Sequence, residues 1–336
     1  MSNARIAAIE YYLPEAVLTN EMISVEFPEW SVEKIAAKTG VHSRHISAED
    51  EFSSDLAIAA GKALFARHAV RPDEIDYLIV CTQSPDYFLP TTACIVQAGL
   101  ELPTSTGAVD INLGCSGYIY ALGQAKGLIE SGQASKVLVI TADTYTKFVN
   151  PADKSVRTIF GDGAAASLVT NDGNAESMTA LTYGSDGQGA KHLIVPNGGL
   201  RSGEQLQPKS DVGLRSVESN GFDLFMDGPE IFNFTLRVVP ETVASILAKN
   251  NATLEDIDLF VFHQANAFML EHLRKRLGVP SEKFFVALDQ TGNTVSSSIP
   301  IALSRAEEKN LLSPGMKVML LGFGVGLSWG GMLLEW

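Results

Sequence analysis

Four runs of the chain are apolar without alternation: Tyr77–Cys81, Val137–Thr141, Leu259–Phe262 and Val318–Leu321. A strand that buries one face alternates apolar with polar residues, so unbroken runs predict strands covered by helices on both faces. Helical patterns with their own boundaries lie between them. Ser53-Ser54-Asp55 predicts the start of an Ala-rich helix reaching Ala66. Ala121 to Glu130 predicts a small-residue helix ended by Ser131-Gly132, slim enough to pack between two sheets.

The pattern occurs twice. Ala66 through Val80 parallels Ala248 through Phe262 (helix end, acidic turn, Ile-Asp, apolar strand), and Ile75 and Ile257 lie 182 positions apart. Ala121 through Ile140 parallels Ala302 through Leu321, with Lys136 and Lys317 181 positions apart. Near-equal offsets predict an internal duplication and a layered α/β sandwich of two halves, residues 1–171 and 172–336. Ligands of such folds bind near the strand ends, here at the junction of the halves. Residues 197–220 have no period and predict a long surface loop.

Composition narrows the function classes. The 336 residues are 46% hydrophobic and 19% charged, as in a globular protein. A formal net charge of −14 argues against binding nucleic acid or an anionic membrane. The most apolar stretch, Val318 to Leu334, is broken by five glycines and predicts a buried strand pair, not a membrane span. Met1 to Arg5 leads straight into a strand-like run without a secretory pattern. Three cysteines without C-x-x-C spacing predict neither disulfides nor zinc, and no metal-ligand cluster is spaced for catalysis. A reducing, cytoplasmic setting fits.

Three reactive side chains end apolar segments on glycine- and asparagine-rich turns. Cys115 lies in Asn112-Leu113-Gly114-Cys115-Ser116-Gly117, between a strand at Ala108–Ile111 and a helix from about Tyr118. The helix dipole and turn N–H groups there are expected to favour the thiolate; Cys81 and Cys94 read as inert small hydrophobes. His263 opens His263-Gln264-Ala265-Asn266, and Asn293 lies in Gly292-Asn293-Thr294 before a helix start at Ser296-Ser297-Ser298. A thiol can hold an acyl group taken from a thioester. An imidazole and an amide can donate two N–H groups to an enolate oxygen. An amide where a hydrolase triad often has a carboxylate points to donation more than to imidazole activation.

With these motifs the chain resembles the β-ketoacyl-acyl-carrier-protein synthase III family of the thiolase superfamily. Further matches are Tyr12-Leu13-Pro14, Thr39-Gly40 with Arg44, Phe160-Gly161-Asp162-Gly163-Ala164, Met226 with Gly228, and Ser328-Trp329-Gly330. The resemblance implies a thiolase-like αβαβα sandwich, with Cys115 as acylated nucleophile and His263 with Asn293 as the decarboxylation pair. It implies an oxyanion hole from the backbone N–H groups of Cys115 and Val325, and a substrate pocket including Phe160 and Asn266. The reaction implied is a decarboxylative condensation with a malonyl thioester; the alternative is acyl transfer to a non-malonyl acceptor. Substrates would be acyl thioesters of coenzyme A or of an acyl-carrier protein, with no permanently bound cofactor.

Family members are homodimers whose acyl pocket borrows a partner residue; Leu89 matches it, where acetyl-primed members have Phe, which implies a longer starter. Residues 21–50 match the entrance segment. Its stacking tryptophan falls near Lys34, with Trp30 displaced upstream, and phosphate-binding arginines align with Lys38, Lys154 and Phe268. Lysine offers a point charge where arginine offers a fork, so a carrier-protein donor fits, with Arg274-Lys275-Arg276 as a basic docking patch.

Overall fold

The structure is a computed structural model and describes residues 3–174, 177–201 and 221–336. The chain begins with β1 (Asn3–Tyr12), β2 (Ala16–Thr19), α1 (Asn20–Glu26), α2 (Val32–Thr39) and β3 (Ser43–Ile46). Next come α3 (Ser53–His68), β4 (Tyr77–Cys81), α4 (Thr92–Gly99), β5 (Gly107–Ile111), α5 (Gly117–Glu130) and β6 (Lys136–Asp143). After α6 (Lys154–Arg157) and β7 (Gly163–Gly173) follow the short β8 (Thr182–Ser185), β9 (Leu193–Ile194) and β10 (Phe225–Met226). The last elements are α7 (Gly228–Lys249), β11 (Leu259–Phe262), α8 (Ala267–Leu277), α9 (Ser298–Glu308), β12 (Lys317–Gly324) and β13 (Ser328–Glu335).

The four apolar runs are β4, β11 and the inner parts of β6 and β12. One sheet has the order β1-β7-β6-β4-β5, the other β11-β12-β13-β8. In both, a parallel pair (β4 with β6, β11 with β12) is extended by an antiparallel strand, β7 or β13. The repeat is incomplete at one edge, where the counterpart of β5 is a single bridge, Phe260 to Phe284. The apolar Val318–Leu334 stretch forms the antiparallel β12–β13 pair. Of the predicted surface loop, residues 202–220 lie outside the described residues.

Five layers result. α3 and α4 cover the outer face of the first sheet, and α5 and α9 fill the space between the sheets. α7 covers the outer face of the second sheet, with α8 beside it. By length and composition α7 could cross a membrane, but Ile231, Phe234, Val238, Val239, Val243 and Ile246 are buried, and the helix packs on β12 and β13. Leu78, Ile79 and Val80 of β4 are fully buried, each stabilising the fold by about 1.5–3 kcal/mol. The α3 start departs from expectation. Ser53 and Ser54 lie inside the helix, and their hydroxyls bond to Ser84 Oγ (2.8 Å) and Asp86 Oδ2 (2.6 Å). Asp55 performs the capping by accepting the Phe52 N–H at 2.9 Å.

The layers approach closely where β12 passes the turn before α5. A Cβ on Gly322 would stand 2.7 Å from the Cys115 carbonyl oxygen and 2.8 Å from Ser116 Cα. Both neighbours are backbone and cannot rotate away. Gly322→Ala is therefore expected to destabilise the protein by about 1–3 kcal/mol through overpacking, measured as a lower urea midpoint with unchanged slope; an unchanged midpoint would show that the layers can separate freely.

Candidate active site

The Cys115 turn leaves β5 at Ile111 and closes when the Gly117 N–H bonds to the Gly114 carbonyl at 2.7 Å, starting α5. The thiol is buried, 6% exposed, and a Cβ on Gly324 would stand 2.8 Å from its sulfur. Burial, and secondarily the nearby Asp143 carboxyl, push the thiol up to about 12. The N–H groups of Val325 and of Cys115 itself oppose the rise. The expectation of a favoured thiolate is thus corrected: the turn N–H groups are aimed at the sulfur, but loss of water outweighs them.

His263 directly follows β11, and its Nδ1 lies 2.7 Å from Ser298 Oγ. Ser298 Oγ also accepts the Gln264 N–H at 3.3 Å. The hydroxyl hydrogen then remains for Nδ1, since otherwise it would be buried unpaired. Nδ1 is therefore the acceptor and Nε2 carries the proton. Burial lowers the imidazole to about 3, so it is neutral at physiological pH.

Asn293 is held by its backbone. Its N–H donates to the Ile159 carbonyl at 2.9 Å and its carbonyl accepts the Gly161 N–H at 3.1 Å. Gly292 before it has φ 64°, the left-handed region that favours glycine. Asn293 Oδ1 accepts the Val295 N–H at 2.9 Å, which turns Nδ2 toward His263 Nε2, 3.5 Å away. Two N–H groups thus lie side by side, pointing at common space.

Cys115, His263 and Asn293 line one cavity of about 310 Å³ together with Phe160 and Asn266. Its outer wall is Met226, Ile231, Phe232 and Met269, and half-exposed Phe268 stands at the rim, ring-to-ring with His272 at 4.2 Å. Asn266 Oδ1 caps α8 by accepting the Met269 N–H at 2.8 Å. Leu89 does not line the cavity; with Tyr87 and Phe88 it forms an exposed apolar run, itself 83% exposed.

At the entrance segment, the ammonium groups of Lys34, Lys38 and Lys154 lie 5.4, 5.0 and 5.8 Å from the centre of the Trp30 ring. The displaced tryptophan is thus the hub of the predicted lysines, joined by cation–π attraction. α2 meets α8 at Gly40, whose φ is 72° and whose added Cβ would stand 2.2 Å from Ala267 Cβ. Of the basic patch, Arg274 donates to both Glu271 oxygens (2.8 and 2.7 Å) and Lys275 pairs with Glu271 at 3.2 Å; Arg276 forms no ion pair among the described residues.

Sequence reasoning assigned no role in the site to three residues, of which Arg44 enters it only as a family match. Ser298 looked like one of three cap serines. Asp143 ends β6 fully buried, its carboxyl raised to about 7 chiefly by burial. Arg44 is also fully buried, donating to the Leu18 carbonyl (3.2 Å), Asn20 Oδ1 (2.9 Å) and the Thr158 carbonyl (3.0 Å). Among the described residues no group of three His, Cys, Asp or Glu side chains could hold a metal ion.

Residues 109–187 match the family model for 3-oxoacyl-[acyl-carrier-protein] synthase III, and residues 247–336 match the model for its C-terminal part. The chain is 39% identical over 335 residues to a β-ketoacyl-[acyl-carrier-protein] synthase III of Clostridium perfringens, covering 100% of both chains. The chain belongs to the β-ketoacyl-[acyl-carrier-protein] synthase III family. A solved 3-oxoacyl-(acyl-carrier-protein) synthase III superposes with a TM-score of 0.94 at 48% identity, covering 99% of this chain and 100% of the other. The synthase of Burkholderia xenovorans superposes at 0.92 and 37% identity, covering 99% and 93%. The fold is the thiolase-like sandwich of these synthases, and the protein is a condensing acyltransferase.

The raised thiol makes this synthase testable without substrate. With exposed Cys94 changed to serine, Cys115 alkylation by iodoacetamide should keep accelerating from about pH 7 to about pH 10, because only the thiolate reacts and the thiol titrates at about 12. A plateau below about pH 8 would mean that the helix terminus prevails.

Proposed function

We propose that the enzyme joins an acyl group held on Cys115 to a malonyl unit delivered by an acyl-carrier protein, with release of carbon dioxide. Cys115 sulfur attacks the starter thioester; the new sulfur–carbon bond replaces the old one, and the carrier thiol leaves with the proton that cysteine loses. The malonyl thioester then loses carbon dioxide, and the electron pair of the broken C–C bond moves into its thioester carbonyl as an enolate. His263 Nε2–H and Asn293 Nδ2–H hold that oxygen. The enolate carbon attacks the acyl-cysteine carbonyl, whose oxygen faces the N–H groups of Cys115 and Val325. Collapse releases the β-ketoacyl thioester and returns the cysteine sulfur, which is reprotonated.

The observation that carries this reading is the pair of neutral N–H donors 3.5 Å apart over the cavity that also holds the thiol. With Ser298 bonded to Nδ1, the Nε2 position already bears its proton and does not serve as the base of a hydrolase triad. Lys34, Lys38 and Lys154 would meet carrier phosphates as point charges, and Arg276 would contact an acidic carrier. The free thiol required at Cys115 suits a cytoplasmic enzyme. In a homodimer, the exposed run of Tyr87, Phe88 and Leu89 would leave water, and Leu89 would close the partner's acyl pocket.

Intact-protein mass spectrometry should show an acyl adduct that Cys115→Ala abolishes. Asn293→Ala and His263→Ala should keep the adduct while carbon dioxide release falls by on the order of 100-fold. An adduct on Cys115→Ala, or undiminished decarboxylation in both other variants, would overturn the assignment. Across a series of starters, chains longer than acetyl should load fastest; fastest loading by acetyl would refute the role of Leu89.

A further inference from the structure

Asp143 is a buried carboxylate placed between the two halves of the site. Its Oδ1 accepts the Gln83 N–H at 2.9 Å and faces Thr82 Oγ1 at 3.5 Å, both in the turn after β4. Its Oδ2 accepts the Ser296 N–H at 3.2 Å and the Ser296 hydroxyl. Each oxygen thus serves one half of the protein. It forms no ion pair among the described residues, so only these N–H and O–H donors offset the burial of its charge.

The two arms end at the chemistry. Gln83 Oε1 accepts the Tyr145 hydroxyl at 3.0 Å and lies 2.4 Å from where a Cβ on Gly114 would stand, against the Cys115 turn. Ser296 lies in the turn that follows Asn293, which the Ser297 N–H closes on the Thr294 carbonyl at 3.0 Å. That turn is held at a cost: Val295, β-branched, has φ 52°, and the buried Thr294 hydroxyl has no partner among the described residues. Such a conformation persists only when its surroundings impose it. The Cys115 turn has other anchors, the Gly117–Gly114 bond and the Ser116–Ser328 hydroxyl pair at 2.7 Å. The Asn293 turn is pinned too, by the Asn293 bonds to Ile159 and Gly161 and by Ser297 Oγ to the Gly163 carbonyl at 3.1 Å, but its strained middle is tied through Ser296, whose N–H and hydroxyl both go to Asp143.

We propose that Asp143 is a positioning residue that holds the Asn293 turn against the Cys115 turn, so that the carboxamide stays aimed into the cavity. This rests on the role of Asn293 given above. Asp143→Asn keeps the volume but sets an amide N–H against a backbone N–H. It should lower carbon dioxide release from the malonyl thioester by on the order of 10- to 100-fold, the usual cost of displacing a reacting group by about 1 Å. Acyl loading of Cys115 should change by less than about 3-fold, because that turn keeps its own anchors. Ser296→Ala should shift the same ratio in the same direction, and it carries the test if Asp143→Asn does not fold. The double variant Asp143→Asn with Asn293→Ala should decarboxylate no more slowly than Asn293→Ala alone. Equal losses in loading and decarboxylation, or no loss in either, would overturn the proposal. If Asn293→Ala itself leaves decarboxylation intact, the reading of Asn293 fails; if Asn293→Ala impairs it and Asp143→Asn does not, only the clamp fails.

Discussion

The contact between the Cys115 turn and the backbone of β12 is the constraint on which the site depends. Gly322 and Gly324 leave no space for a side chain between the strand and the turn. The first half supplies the cysteine, while the second supplies the strand that runs past it, the histidine after β11 and the asparagine before α9. Sandwiching α5 and α9 between two sheets sets the separation of the halves, and glycine at the point of contact lets them meet at atomic range.

Exclusion of water then governs the electrostatics. The same burial that raises the cysteine to about 12 lowers the histidine to about 3 and lifts Asp143 to about 7. Cys115 and His263 are therefore neutral at physiological pH, while Asp143, set back from the cavity, titrates near neutrality. Fixed N–H groups on the wall of a mostly apolar cavity favour the negative charge that the reaction itself creates.

Much of this was legible in the residues. Unbroken apolar runs and the offset near 182 positions revealed two related sheets, because burial on both faces leaves a composition signature. Turn chemistry marked Cys115, His263 and Asn293. What escaped were features decided by three-dimensional packing. The protonation preference of Cys115 follows from its enclosure, which local sequence does not encode. The hydrogen on Nε2 depends on one serine among three. Trp30 looked misaligned, yet its ring gathers Lys34 and Lys38 from α2 and Lys154 from the start of α6.

Arg44 shows how narrowly a buried cation can be specified. Among the described residues no carboxylate accepts from it; two carbonyls and an amide oxygen do, in β2, at the start of α1 and just after α6. Burial and nearby Arg157 lower it to about 10, yet it keeps its charge at neutral pH. The acceptors are divided between Nη1 and Nη2 of a planar fork, whereas an ammonium would offer its three N–H groups from a single point. The strand leading into the entrance segment and the stretch that carries Phe160 are therefore pinned by one fork-shaped group, and at this position lysine is no substitute.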